Sequence, residues 1–344
     1  MIRAGIIGAT GYTGIELIRY LKLHSKVKLV HLISRSKAGK KLSKIYPNFL
    51  PDDFILEKYD PENLQDTDIV FTALPHGVSQ DIVAEIYEKG IKVIDLSGDF
   101  RYSDQERYER WYNIEHKYPH LLEKRVYGLA EMNQEKIKTA DLVANPGCYP
   151  TASTLGLLPV INREFIDRTS IIVDAKSGVS GAGKSLKKVT HFIEANESIK
   201  AYGVTTHRHT SEIEANLEYF INESNINISF TPHLIPMKRG ILSTIYVNLK
   251  ENKFETEDLI NIYRKFYEDS FFIKIKEETP DTKYVTGTNF CHISVNLDKR
   301  SSRLIITSVI DNLGKGAAGQ AVQNMNLMFG LNETRGMKSS AIFP

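Results

Sequence analysis

Cysteine is nearly absent. Cys148 and Cys291 are the only two in 344 residues, too few for a disulfide framework and suited to a reducing compartment. A large excess of either charge is absent as well: 44 Lys and Arg stand against 42 Asp and Glu, a net charge of +2, so no whole-molecule field favours nucleic acid or an anionic membrane. No apolar run reaches membrane-spanning length, and the opening MIRAGIIGATGYTG enters a strand pattern with no charged n-region, long apolar core or small-residue cleavage site. Internal repeats and low-complexity linkers are missing too. What these absences leave is a cytoplasmic enzyme acting on a small molecule without nucleic-acid or membrane partners. At 42% hydrophobic content, the chain is long enough for two packed domains.

Over roughly the first 145 residues, short β-branched apolar runs (AGIIG, VKLVHLIS, DIVFTAL, KVIDLS, DLVAN) alternate with amphipathic segments such as GIELIRYLKL and SQDIVAEIYEKG. This βαβ rhythm predicts a Rossmann-type α/β domain with a doubly wound parallel sheet. After Pro150 the texture changes to long β-rich stretches (TSIIVDAKS, NISFTPHLIPM, GILSTIYVNL, HISVNL, RLIITSVID) mixed with helical segments such as SEIEANLEYFINES and TEDLINIYRKFYEDS. An α+β second domain with a large mixed or antiparallel sheet is expected there. The predicted division is 1–147 for the dinucleotide domain, completed by a C-terminal helical segment 313–344, and 148–312 for the catalytic and assembly domain.

Gly8, Thr10, Gly11, Tyr12, Thr13 and Gly14 lie between a buried strand and an amphipathic helix, the context of a dinucleotide fingerprint. Glycines there allow a tight turn and bring backbone N–H groups to a pyrophosphate at the positive end of the helix. The spacing is GxxGxxG, which a plain glycine turn would also give. About 20 residues further on, an NAD site would show an acidic residue for the ribose hydroxyl. Here Ser34 and Arg35 follow the second strand, with Lys37, Lys40 and Lys41 nearby. A guanidinium flanked by hydroxyls suits a 2′-phosphate, so NADP(H) is the expected cofactor; a solvated basic loop is the alternative.

Cys148 stands in NPGCYPT, where a Pro-Gly turn follows a strand and Pro150 opens an apolar helical run. A thiol at a helix start has its pKa lowered by the dipole and free N–H groups, which can also hold an oxyanion. Cys291, inside a strand pattern, reads as a small buried hydrophobe. The acid/base candidates are His207 and His209, preceding a helix that Ser211 and Glu214 mark with a capping box. In an extended loop the two histidines face one way. A metal is not expected, because no further ligand cluster has the required spacing. Gly178 to Ser185 also matches the P-loop pattern GxxxxGK[ST]. It falls outside any succession of βα units, so its backbone and Lys184 are expected to edge the active site instead.

These motifs, with DLSGDFR at 95–101, YGLAEMN at 127–133, HRHTSEIE at 207–214, PHLIPMKRGI at 232–241 and DNLGKGAAGQAVQNMN at 311–326, resemble in order and end to end the N-acetyl-gamma-glutamyl-phosphate reductases, arginine-biosynthesis members of the aspartate-semialdehyde dehydrogenase superfamily. The resemblance implies NADPH-dependent reduction of N-acetyl-L-glutamyl 5-phosphate to the 5-semialdehyde, with phosphate released and Cys148 as the thioester-forming residue. It places His207 and His209 in the acid/base region without saying which exchanges the proton. It also implies anion-binding roles for Arg101, Lys184 and Arg239, and cofactor-side roles for Ser177, Gly178 and Asn312. Ala130 and Ser211 depart from the family pattern, where proline is common; both positions concern loop rigidity. The nearest alternative is a sister reductase of a carrier-linked amino-adipyl phosphate. More remote are a cysteine hydrolase and an NADP-binding protein without turnover. A homodimer or homotetramer is expected from the β-rich second domain.

Overall fold

The computed structural model describes residues 1–49, 53–251 and 253–342. The chain forms two compact units, Met1–Pro146 with Ala317–Lys338, and Gly147–Gly316 with the tail from Ser339.

The first unit is built on a six-stranded sheet of β1 (Ile2–Ile7), β2 (Val27–Ile33), β3 (Ile69–Thr72), β4 (Lys92–Asp95), β5 (Val126–Tyr127) and β6 (Leu142–Ala144). The order is β2-β1-β3-β4-β6-β5, and every neighbouring pair is parallel. Helices cover such a sheet on both faces, which is why β3 and β6 are buried at every residue and read as unbroken apolar runs. Strand order reverses between β1 and its neighbours β2 and β3, so the loop after β1 sits where doubly wound sheets bind ligands. The helix Gly319–Met328 belongs to this unit, buried along its whole length. The segment expected at 313–344 is therefore shorter as a helix, and its tail goes elsewhere: Ile342 N–H donates to Thr286 O at 3.0 Å in the second unit. Residues 343 and 344 lie outside the described residues.

A buried polar network stands at the carboxyl ends of β3 and β4. Asp95 accepts from Thr72 Oγ1 and Ser97 Oγ, both at 2.6 Å. Asp99 accepts from Gly77 N–H, Ser79 Oγ and Tyr108 OH at 2.8–2.9 Å. Burial, reinforced by the Asp99 charge, pushes the Asp95 carboxyl up to about 6. With the folded value above the unfolded one, the folded state binds the proton more tightly. This group's contribution to stability is therefore complete below pH ~4 and is lost as pH rises through 6. Two units correspond to about 3 kcal/mol at most. Asp95→Asn should remove that dependence: the stability difference between wild type and variant, measured by urea unfolding, shifts toward wild type as pH falls from 7 to 4.5. A difference constant with pH contradicts this account.

The second unit carries a seven-stranded mixed sheet of β7 (Ile166–Gly178), β8 (Lys200–Ala201), β9 (Ser229–Ile235), β10 (Ile241–Leu249), β11 (Ile273–Lys276), β12 (Cys291–Asp298) and β13 (Arg303–Ile310), ordered β11-β12-β13-β10-β7-β9-β8. Alternating burial along β10 marks a sheet with one covered face. The helix Cys148–Ile161 packs on β7, β10 and β13, and the helices His209–Ile221 and Thr256–Phe266 pack against it. It is buried from Tyr149 to Ile161, as a helix apolar on all sides must be. Pro159 within it has no N–H for Leu155 O. Tyr267 OH donates to that carbonyl at 2.6 Å, and Tyr263 OH to Gly156 O at 2.6 Å.

Candidate active site

In the first unit, Gly8 has φ +89°, and a Cβ there would come within 2.3 Å of Ala73 O; a Cβ on Gly14 would come within 2.3 Å of Gly8 O. Both positions demand glycine for backbone close approach. Gly11 caps the helix Tyr12–Lys22 with no side-chain hydrogen bond, so its first-turn N–H groups, with Thr13 and Gly14 among them, present an uncapped donor face of the kind that receives a pyrophosphate. Thr10 Oγ1 lies 2.9 Å from Ser34 Oγ, joining the loops after β1 and β2. Ser34 is buried by this contact, whereas Arg35 projects into solvent. The cradle thus fits a dinucleotide, with Arg35 as its accessible cation. Arg101 Nε donates to Asn145 O at 2.9 Å and Nη2 to Leu96 O at 3.3 Å, which holds the guanidinium against the strand ends.

In the second unit, Cys148 is the first residue of its helix. Gly147 is the N-cap, again with no side-chain cap, and the thiol residue is partly exposed. Gly147 N–H donates to Glu212 Oε1 at 2.8 Å. The other oxygen of Glu212 lies 3.9 Å from His209 Nε2, and the carboxylate is 1% exposed. Glu212 therefore joins the loop entering the cysteine to one of the two histidines. A Cβ on Gly316 would sit 2.9 Å from Cys148 Cβ, so the turn after β13 lies directly against the thiol residue and tolerates no side chain there.

His207 and His209 do come together, with ring centroids 4.8 Å apart, but not by the expected route. Arg208 has helical dihedrals and the helix begins at His209, so the pair is set by a turn entering a helix rather than by extended alternation. The capping box expected at Ser211 and Glu214 is absent. Ser211 is buried inside the first turn, and Glu214 accepts from Ile228 N–H at 3.1 Å; with the helix starting at His209, Ser211 is too late to cap it. His209 N–H donates to His207 Nδ1 at 3.2 Å, which puts the His207 proton on Nε2. Rings of Tyr149, Tyr202 and Phe230 surround His207 edge-on. Burial, with the Arg208 charge beside it, lowers its pKa to about 4. Tyr202 OH donates to Tyr149 OH at 3.2 Å, and Tyr149 OH donates to His233 O at 3.1 Å. Burial pushes Tyr202 up to about 12 and Tyr149 further up.

The P-loop reading of 178–185 is excluded by its own backbone. Gly178, Val179 and Ser180 N–H groups donate to Gly240, Met237 and Lys238 carbonyls at 2.9, 2.9 and 3.2 Å, so none points toward a phosphate. Gly178 is required because a Cβ would meet Arg239 N at 2.8 Å. Ser177 is buried at the end of β7, its hydroxyl donating to Gly178 O, and Lys184 is exposed beyond the short turn Val179–Ala182. The Asn312 side chain is engaged at both ends: Oδ1 accepts from Gly240 N–H at 2.8 Å, and Nδ2 donates to Ser180 Oγ at 2.9 Å. Arg239 Nε lies 2.9 Å from Asp311 Oδ2. Glu212, Tyr149, Tyr202 and Asp311 were not singled out by sequence. The one available signal was the spacing of Glu212, one helical turn after His209. Among the described residues no group of three or more His, Cys, Asp or Glu could hold a metal ion, and no helix is long and apolar enough to cross a membrane.

The arrangement is that of a semialdehyde dehydrogenase. A family model described as the semialdehyde dehydrogenase NAD binding domain matches residues 3–140, and one described as the semialdehyde dehydrogenase dimerisation domain matches residues 148–312. Aspartate semialdehyde dehydrogenase II from Vibrio cholerae superposes with a TM-score of 0.74 at 18% identity, covering 96% of this chain and 99% of that chain. The aspartate semialdehyde dehydrogenase of Candida albicans gives 0.70 at 17%, covering 96% and 98%. At such identities the likeness shows the fold. N-acetyl-gamma-glutamyl-phosphate reductases of Halothermothrix orenii and Caldicellulosiruptor bescii are 57% and 52% identical, over 100% and 98% of both chains. The chain belongs to the N-acetyl-gamma-glutamyl-phosphate reductase family, and is an NADP-dependent oxidoreductase.

Proposed function

We propose that this chain reduces N-acetyl-L-glutamyl 5-phosphate to N-acetyl-L-glutamate 5-semialdehyde, with Cys148 carrying the acyl group as a thioester. The observation that carries this reading is the Cys148–Gly147–Glu212–His209 constellation at an uncapped helix start. His209 takes the thiol proton, and Glu212 stabilises the resulting imidazolium. The Cys148 thiolate attacks the acyl carbon, the C–O bond to phosphate breaks, and the departing phosphate takes that electron pair. First-turn N–H groups of the cysteine helix stabilise the oxyanion. When bound, NADPH supplies the hydride. Cleavage of the C–S bond then releases the aldehyde and returns Cys148 as thiolate, which recovers its proton from His209.

His207 serves differently. Neutral, with its proton on Nε2, it donates a hydrogen bond to a substrate oxygen and does not exchange a proton over the working pH range. Arg101, Arg239 and the exposed Lys184 are each assigned to anionic groups of the substrate. Gly8, Thr10, Gly11, Tyr12, Thr13 and Gly14 receive the cofactor pyrophosphate, with Arg35 on its 2′-phosphate and Ser34 supporting the loop by its bond to Thr10. Ser177 and Asn312 act through the turns they pin. Exposed Leu186, Phe192, Ile193 and Ile199, within the part matching a dimerisation domain, support assembly into a homodimer or homotetramer.

The reaction run backwards tests this reading. N-acetylglutamate semialdehyde, NADP and phosphate should sustain NADPH formation beyond one equivalent per site only when all three are present; turnover confined to a carrier-linked aldehyde would overturn the substrate. In the same assay Arg35→Ala should raise KM for NADP about tenfold or more, the size of one lost charge-assisted contact, and leave KM for NAD unchanged. Equal losses would remove Arg35 from 2′-phosphate recognition.

A further inference from the structure

Arg239 sits in the turn between β9 and β10, and that turn is fastened from several sides. Gly240, at φ +116°, offers its carbonyl to Gly178 N–H and its own N–H to Asn312 Oδ1. Met237 and Lys238 carbonyls are taken by Val179 and Ser180. These bonds fix the backbone of the turn. They leave the direction of a long, flexible arginine side chain undetermined.

Asp311, at the end of β13, supplies that direction. Its carboxylate is 0% exposed, which would be costly for an unpaired charge. Oδ1 accepts from Leu313 N–H at 2.8 Å and Gly314 N–H at 3.1 Å, and Oδ2 accepts from Gly287 N–H at 2.5 Å. These three backbone donors fix both oxygens before any side chain arrives. Onto that fixed carboxylate comes Arg239 Nε, 3.1 Å from Oδ1 and 2.9 Å from Oδ2. Gly314 completes the socket, since a Cβ there would come within 2.1 Å of Thr288 O. A guanidinium held at Nε between two fixed carboxylate oxygens has its direction restricted at the root of the planar group. The arginine itself is 23% exposed, so it reaches from a dry anchor toward solvent-accessible space.

We propose that Asp311 is a positioning residue that aims Arg239 at an anionic group of the acyl substrate. This rests on the reading of Arg239 as a substrate clamp. Asp311 touches no substrate itself. Pre-ordering the guanidinium lowers the entropy lost when the anion binds, so its effect falls on substrate affinity rather than on the cofactor.

The test measures KM and kcat of the reverse reaction, KM for NADP and the melting midpoint for full-length Asp311→Asn and Arg239→Ala. Asp311→Asn should raise KM for the semialdehyde or phosphate at least tenfold with KM for NADP close to wild type, and should lower the melting midpoint, because its amide nitrogen cannot accept from the backbone N–H groups that hold the carboxylate. A merely structural role would raise the Michaelis constants for substrate and NADP together, which overturns the proposal. Arg239→Ala leaves Asp311 and its three backbone donors in place, so millimolar methylguanidinium should restore activity to it, whereas methylammonium should not. That arm reads the socket even where Asp311→Asn is too unstable to assay, and rescue by neither cation or by both overturns the proposal. If Arg239→Ala leaves both substrate constants unchanged, the clamp reading fails and this inference with it. If Arg239→Ala raises one of them and Asp311→Asn does not, the inference alone fails.

Discussion

Cys148→Ser should fold, bind NADP and lose turnover by about four orders of magnitude or more, the scale seen when a covalent nucleophile is removed from an otherwise intact site. The argument runs from the backbone upward. Gly147 and Pro150 bracket a thiol that is the first residue of its helix, where uncapped N–H groups and the dipole stabilise a thiolate. A serine hydroxyl in the same place has an ordinary pKa far above neutrality, so the proposed proton transfer to His209 would be far less favourable. The side chain is partly exposed, so replacing sulfur with oxygen leaves no cavity, and the melting midpoint should stay within a degree or two of wild type. Stopped-flow mixing adds a second readout: with substrate and no cofactor, wild type releases up to one equivalent of phosphate as the thioester forms, and the variant releases none. Retention of a tenth of the wild-type rate in Cys148→Ser would exclude a thioester on this residue.

Much of the first unit was legible because strands such as β3 and β6 are buried on both faces and appear as unbroken apolar runs, and their neighbours carry the same β-branched texture. All five strand candidates before Pro146 correspond to β1, β2, β3, β4 and β6. What escaped notice was β5, only two residues long, and the helices Gln105–Tyr112 and Ala130–Lys138. Gln105–Tyr112 carries five charged or amide residues in eight and buries two tyrosines, so its apolar face is aromatic and too sparse to show a helical period. In the second unit, β11 was hidden because its two lysines alternate with two isoleucines at a sheet edge, where charge protects against further pairing.

The site was legible in proportion to how local its determinants are. The glycine loop and the cysteine depend on neighbours within a few residues, and both were picked out by the strand, turn and helix signals on either side of them. The histidine pair was found, but its geometry was misjudged, because the helix start was put at Ser211 when Arg208 already turns. Asp311 and Tyr202 act through partners 72 and 53 residues away in sequence, and no local pattern announces such a contact. Lys315 is wholly buried in a short π-helical turn, Gly314–Ala318; sequence shows there only a basic residue among glycines.

The choice between the two histidines then becomes an experiment with a definite sign. His209→Asn should reduce kcat about a hundredfold to ten-thousandfold, the usual range for loss of a general acid/base, whereas His207→Asn should mainly raise KM. Glu212→Gln separates charge from shape: a glutamine carbonyl can still accept from Gly147 N–H, but it no longer offers a negative oxygen to His209 at 3.9 Å. Removing a nearby carboxylate disfavours the imidazolium, so the acidic limb of the kcat/KM profile should move to lower pH, with kcat falling roughly tenfold. His207, lowered to about 4 by burial and Arg208, is already neutral through that range and cannot produce the limb. If instead His207→Asn abolished the limb and Glu212→Gln left it in place, the proton would have to pass through His207, and its Nδ1 bond to the His209 backbone would have to break on substrate binding.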